Sequence, residues 1–199
     1  MIKPQKCAIA NQQSSIIMTL TEEPNIQENL ISVLKTVSDP EIPVLTVLDL
    51  GVIREAIEIE GIVHIKLTPT YSGCPAMDVI ADDLKAAFSE IGKKAEVELI
   101  LSPAWSTDWI SEEGLQKMEE YGIARPLSES NDMDVLLGNK KLVKCTNCGS
   151  TNTHLVSQFG STACKALFKC DDCEEPFDYF KCLKWLTIND WWLQIFELK

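Results

Sequence analysis

Two short cysteine pairs, Cys145-Thr-Asn-Cys148 and Cys170-Asp-Asp-Cys173, stand 21 residues apart near the end of the chain. Each CxxC turn lets two thiolates converge on one cation, and two such turns on facing hairpins complete a tetrahedron. The spacing predicts a four-thiolate metal site at Cys145, Cys148, Cys170 and Cys173. Two CxxC pairs also hold single iron in rubredoxin-like sites. Zinc is preferred because it is redox-silent and is the usual structural ion of ribbons. Four cysteine ligands leave no open position for a substrate, so this metal holds the C-terminal third together and does no catalysis.

Cys74 offers different chemistry. It follows Thr68-Pro-Thr-Tyr-Ser-Gly73 and precedes Pro75, which suits the first turn of a helix. A thiol there lies near unsatisfied amides and the positive end of the helix dipole, which predicts a lowered pKa. Such a group can act as a nucleophile, a transient metal ligand or a cluster-handling thiol. The plain alternative is a small buried residue capping a helix. Asp39 and Glu41, in Asp39-Pro-Glu41-Ile-Pro43, sit in a proline-stiffened loop from which they can approach Cys74. They can equally bond to loop amides, the preferred reading for Asp49. No carboxylate pair has a spacing that demands general acid/base catalysis.

Cys164 and Cys182 flank the second CxxC pair on opposite arms of a presumed hairpin, which makes them candidate neighbours. They are either core thiols or a second, labile thiol pair for iron, a cluster or redox control. His64 lies in a strand pattern, His154 is at best a spare ligand, and Cys7 has no expected role.

The elements that must position these groups can be read from periodicity. Asn25 to Val37 carries a helical apolar stripe, and Asp39 to Pro43 ends it. Val52–Glu60 and Ile62–Thr68 alternate as two strands turned at Gly61. Ala76–Ile91 reads as a helix with Val79, Ile80, Leu84, Ala87, Phe88 and Ile91 on its core face, stopped by Gly92. Ala95–Leu101 is a third strand, and Thr107 or Ser111 caps a charged helix reaching Tyr121. The expected class is α+β. A compact α-β-β-α-β-α domain over 24–126 is followed by a polar linker over 127–141 and a small four-cysteine ribbon over 142–184. Residues 1–23 read as a disordered extension, with a more natural start at Met18. The Trp-rich tail, 185–199, is expected to pack on a ribbon that lacks a core of its own, or on a partner.

Charge narrows the function classes. Residues 1–139 hold 10 Lys and Arg against 23 Asp and Glu, and residues 140–199 hold 8 against 7, giving the net charge of −12. A four-thiolate site with a divalent ion adds about two more negative charges. Such a surface repels phosphates, which argues against a nucleic-acid-binding ribbon. No apolar run approaches the ~18 residues needed to cross a membrane. With eight cysteines, four of them claimed by the CxxC pairs, and no apolar signal core in residues 1–21, a reducing cytoplasm is the expected setting.

The stretches Asp39-Pro-Glu-Ile-Pro-Val, Asp49-Leu-Gly51 and Thr68-Pro-Thr-Tyr-Ser-Gly-Cys74-Pro75 resemble the MIP-eighteen/SufT-like domains associated with iron–sulfur assembly. Ser102-Pro-Ala-Trp105-Ser-Thr-Asp-Trp109-Ile is similar to the PaaD family (also PaaJ) of bacterial phenylacetyl-CoA epoxidase systems. Phe159-Gly-Ser-Thr-Ala-Cys164-Lys-Ala-Leu-Phe-Lys-Cys170 and Glu175-Pro-Phe-Asp-Tyr-Phe-Lys-Cys182 carry the same likeness. It spans about residues 25–184; the extension before Met18 and the tail inherit no role. The resemblance implies an accessory protein of aerobic phenylacetate catabolism that matures a metal centre of the oxygenase or reductase and is not itself the catalyst. Cys74 with Asp39, and with Cys164 and Cys182, would transiently hold iron or an iron–sulfur cluster. The competing readings are a non-catalytic structural subunit and an enzyme with Cys74 as nucleophile. The implied partners are the oxygenase or reductase subunits, with no nucleic acid and no membrane. The oligomeric state is open, a homodimer included.

Overall fold

Alternation in Ile62–Leu67 puts Val63, Ile65 and Leu67 on one side and His64 and Lys66 on the other, so this segment forms a strand with one buried face. The structure, a computed structural model, describes residues 23–181 apart from Ser72, Ser128 and Lys140. Cys7, Cys182, the extension before residue 23 and the Trp-rich tail lie outside the described residues.

The first sheet is ordered β1-β2-β3-β4, comprising β1 (Asn25–Ile26), β2 (Ile53–Ile59), β3 (Ile62–Leu67) and β4 (Lys94–Leu99). β2 and β3 are antiparallel, and both outer pairings are parallel. The tight turn between β2 and β3 has positive φ at Glu60 (50°) and Gly61 (81°), the backbone twist that suits a two-residue hairpin. Helices α1 (Glu28–Leu34) and α2 (Ala76–Glu90) send Leu30, Leu34, Ile80, Leu84 and Phe88 into one core with the inward side chains of the sheet. The first helix is shorter than its apolar stripe because Asn25 and Ile26 pair with β2. Val79 and Ile91, expected on the core face of α2, are instead half exposed. Ile80, Leu84 and Phe88 already define the buried line, and Val79 is rotated about 100° from it. Past β4, Ser106 caps a 3-10 turn (Thr107–Trp109), and Ser111 caps α3 (Glu112–Glu120) by accepting the Gly114 amide at 2.9 Å.

The second sheet is ordered β5-β8-β7-β6, from β5 (Ile123–Ala124), β6 (Thr153–Ser157), β7 (Lys165–Cys170) and β8 (Pro176–Phe180). The polar stretch after residue 127 holds a further helix, α4 (Glu129–Leu136). Tertiary contacts explain it: Val135 is buried, and Asp132 accepts the Tyr179 hydroxyl at 2.5 Å. The ribbon does have a core, made of Val135, Val143, Ala166, Phe168, Phe177 and Tyr179. Phe180 and Cys164 point the other way, into the core of the first sheet, where the Phe180 ring meets Trp105 edge-on at 6.2 Å. Among the described residues no helix is long and apolar enough to cross a membrane.

Candidate functional site

The four CxxC cysteines converge as their spacing predicts. Cys145 lies 3.6 Å from Cys173 and Cys148 lies 3.6 Å from Cys170, sulfur to sulfur, and all four sulfurs fall within 4.8 Å of one another. A tetrahedral ion with metal–sulfur bonds near 2.3 Å needs sulfurs about 3.8 Å apart, so the donor set fits zinc. Cys145 and Cys170 are buried while Cys148 is exposed. The two turns are tied together around the sulfurs. Asp172 accepts from Ser150 at 2.5 Å and from Asn152 at 2.8 Å. The Ser150 amide favours the Cys148 thiolate. Hydrogen bonding with the Cys173, Cys170 and Cys145 sulfurs, with desolvation, nevertheless pushes that thiol up to about 12. A bound cation reverses this by taking the place of the protons. His154 is no ligand here; its Nδ1 pairs with Asp171 at 2.7 Å. His64 pairs instead with Glu96 at 3.7 Å on the first sheet.

A second site forms where the ribbon meets the first sheet. Its floor is the loop Asp39–Ile42. Asp39 is only 7% exposed, and its Oδ1 accepts the Glu41 amide at 2.8 Å and the Ile42 amide at 2.7 Å. Burial raises its pKa, against the two amides and the Lys165 charge, which favour the carboxylate. Cys74 stands half-buried ahead of α2, where its amide donates to the Tyr71 carbonyl at 3.1 Å. From the ribbon, Cys164 enters the same place. Its thiol donates to Glu41 Oε2 across 3.7 Å and lies 2.9 Å from the Thr162 hydroxyl oxygen.

The electrostatics overturn one expectation. Cys74 does receive help from the helix start, through the Ala76 amide. Burial, and then the nearby Glu41 and Asp39 carboxylates, outweigh that help and raise its pKa. Cys164 is pushed up to about 11, chiefly by burial and further by Glu41 and Asp39. Tyr71 is pushed up to about 12 by burial and by the charges of Cys74, Glu41 and Cys164. Two thiols and a phenol thus share one carboxylate-flanked space and hold their protons at neutral pH. They can exchange those protons for a soft metal centre, and they make poor nucleophiles until they do.

Of the residues picked out in the sequence, Asp39, Glu41, Cys74 and Cys164 come together. Asp49 does not join them. It accepts from the Thr46 amide at 3.0 Å, the Ser111 hydroxyl at 3.2 Å and Lys117 at 3.0 Å, the structural role expected of it. Cys182 follows Lys181, whose amide donates to the Cys164 carbonyl at 3.0 Å, and is itself outside the described residues. Sequence reasoning missed Tyr71, Thr162 and Lys165. Tyr71 and Thr162 lie within three residues of a chosen cysteine, and only the docking of the ribbon shows that they face the site. Among the described residues, no group of three or more His, Cys, Asp or Glu besides the CxxC set is tight enough to cage an ion. The described residues of the second site therefore do not by themselves make a preformed single-ion cage.

Residues 129–181 match the family described as PaaD zinc beta ribbon domain, and residues 27–99 match the family described as iron-sulfur cluster assembly protein. An Escherichia coli K12 protein assigned as the D component of 1,2-phenylacetyl-CoA epoxidase is 44% identical over 162 residues, covering 80% of this chain and 94% of that protein. An Fe-S protein maturation auxiliary factor of Porphyromonas gingivalis is 35% identical over 95 residues, 46% of this chain and 90% of its own. A solved domain of unknown function from Bacillus anthracis is 28% identical over 43% of this chain and 84% of its own, with a TM-score of 0.41.

Proposed function

Because the chain belongs to the PaaD family of phenylacetyl-CoA epoxidase components, we propose that it is an accessory protein of that epoxidase in aerobic phenylacetate catabolism, assisting assembly of an iron or iron–sulfur centre. The clients are the oxygenase or reductase subunits, and the setting is the reducing cytoplasm, which would keep Cys74 and Cys164 as thiols. The observation that supports this reading is that Cys74 and Cys164, from two modules, both approach Tyr71 and the Asp39 and Glu41 carboxylates.

The cargo is handled as a substrate. Cys74 and Cys164 release their protons as metal–sulfur bonds form, and Asp39 stabilises the loop that floors the site. Raised thiol pKa values keep the empty site unreactive, which suits a carrier better than a nucleophilic enzyme. Cys182 is proposed as a further thiol of the site from its place in sequence, beside the Lys181–Cys164 pairing. The four-cysteine site holds zinc and keeps the ribbon folded so that Cys164 can be presented.

The test is metal content and visible spectrum of protein purified without oxygen, for the unaltered chain and for Cys74→Ser, alongside epoxidase activity in cells. One zinc plus sub-stoichiometric iron that falls in the variant, together with reduced epoxidase activity, is the expected outcome. A variant that still yields fully active epoxidase would sink the carrier reading. The looseness of the second site favours one alternative, a non-catalytic structural subunit that remains in the epoxidase assembly. Stoichiometric co-purification with the oxygenase, with zinc and no iron in both the unaltered chain and Cys74→Ser, would select it.

A further inference from the structure

Lys165 is only 5% exposed at its side chain, an unusual place for a lysine. It stands at the start of β7, directly after Cys164, and reaches out of the ribbon into the first module. Its Nζ donates to the Glu41 carbonyl at 3.5 Å, lies 3.7 Å from the Asp178 carboxylate, and is close enough to Asp39 to favour that carboxylate. A buried ammonium needs partners on every side, and these come from both modules.

The turn before it is shaped around the same charges. Ser161 donates to Asp178 Oδ2 at 3.1 Å, and the Gly160 amide donates to the Lys165 carbonyl at 2.8 Å. A Cβ on Gly160 would fall 2.7 Å from Asp178 Oδ1, so the chain can pass this carboxylate so closely only without a side chain. The turn 159–164 is thereby folded back on Asp178 and Lys165, which thrusts Cys164 forward against Glu41.

We propose that Lys165 is the positioning residue of the transfer site, a ribbon-borne cation that bridges Asp178 to the Asp39–Glu41 loop and fixes that loop against Cys164. The transfer site is then a product of both modules, and the ribbon contributes a fixed charge to it as well as a thiol. The purpose assigned to Lys165 rests on the carrier reading above. Its test does not, since it is made on zinc-loaded full chain without cargo, whereas the carrier reading stands or falls with Cys74→Ser.

The experiment is amide hydrogen exchange, residue by residue, on the unaltered chain and on Lys165→Met and Lys165→Arg. In Lys165→Met the Glu41 and Ile42 amides should exchange at least tenfold faster, while amides of the β2–β3 hairpin stay within twofold. Lys165→Arg, which keeps the charge, should restore most of the protection. Unchanged exchange at Glu41 and Ile42 in Lys165→Met overturns the proposal. So does Lys165→Arg behaving like Lys165→Met, which would make Lys165 a packing residue only. If Lys165→Met loses its zinc, Asp178→Asn decides instead: it keeps the lysine but removes its ribbon anchor. Exchange at Glu41 at least threefold faster supports the bridge, and no change defeats it.

Discussion

The Cys164 thiol of the ribbon donates to the Glu41 carboxylate of the first module across 3.7 Å. That contact joins residues 123 positions apart and brings a second thiol to the Glu41 and Asp39 carboxylates that also act on the half-buried Cys74. Burial first, and then the shared Glu41 carboxylate, oppose ionisation of both thiols, so Cys74 does not behave as a helix-start cysteine should.

Alkylation should report this directly. Cys74 and Cys164 should react slowly with iodoacetamide at neutral pH, with rates climbing as pH rises and Cys164 reaching half its limit near pH 11. Glu41→Gln removes a negative neighbour from both, so it should speed their reaction at pH 8. Peptide mass spectrometry of zinc-loaded protein separates the two sites. Equal or slower labelling in Glu41→Gln would contradict the electrostatic account.

Zinc removal should not stay local. Chelation, or Cys170→Ala, releases the ribbon strands that present Cys164 and Phe180 to the first core. Loss of near-ultraviolet dichroism from the Trp105–Phe180 contact should accompany zinc release. Because the metal competes with protons for four thiols, acid should release zinc, and affinity should fall steadily as pH drops. A first module unchanged after zinc loss would show that the two cores fold independently.

Trp105 should be among the most costly positions to truncate. It is fully buried, its Nε1 donates to the Leu50 carbonyl at 2.9 Å, and it packs on Phe180. Trp105→Ala should cost about 3–5 kcal/mol by denaturant unfolding. Trp105→Phe keeps much of the volume but orphans the Leu50 carbonyl, and should cost about 1–3 kcal/mol.

Asp49 predicts an acid dependence with a definite sign. Burial alone would raise its pKa, yet the Thr46 amide and hydroxyl and Lys117 outweigh this and hold the carboxyl below its ordinary range. A carboxylate depressed in the folded state contributes stability that is full above its unfolded pKa of about 3.9 and is lost as pH falls through the lower folded value. Asp49→Asn should therefore destabilise the protein at pH 7 and flatten the acid limb of its stability curve. An acid limb identical in the variant would rule Asp49 out as its source.

Gly51 offers a check on the backbone. It holds φ +65°, and a Cβ there would come within 2.3 Å of the Trp109 carbonyl oxygen. Gly51→Ala should lower stability by about 2 kcal/mol or more, since neither the left-handed backbone nor the contact can relax cheaply. A thermal midpoint unchanged from the parent would show that the loop has another conformation to adopt.

Local sequence determined much of this protein. The CxxC pairs fix the ribbon's metal site because a two-residue turn between cysteines leaves their sulfurs few other arrangements. Strict alternation fixes β3, and apolar spacing fixes the inward line of α2, because a buried face must repeat with the period of its element. Asp49 was legible as a loop cap because its bond to the Thr46 amide is local, spanning three residues. Only the tertiary structure decided the rest. α4 forms in a polar stretch because Val135 and Asp132 find partners that are distant in sequence. The raised pKa of Cys74 depends first on burial and then on carboxylates more than thirty positions away, neither of which a local rule about helix starts can include. Lys165 reads as an ordinary strand-end lysine until the ribbon docks and buries it beside Glu41, because burial and long-range charge are properties of the packed chain and not of any segment within it.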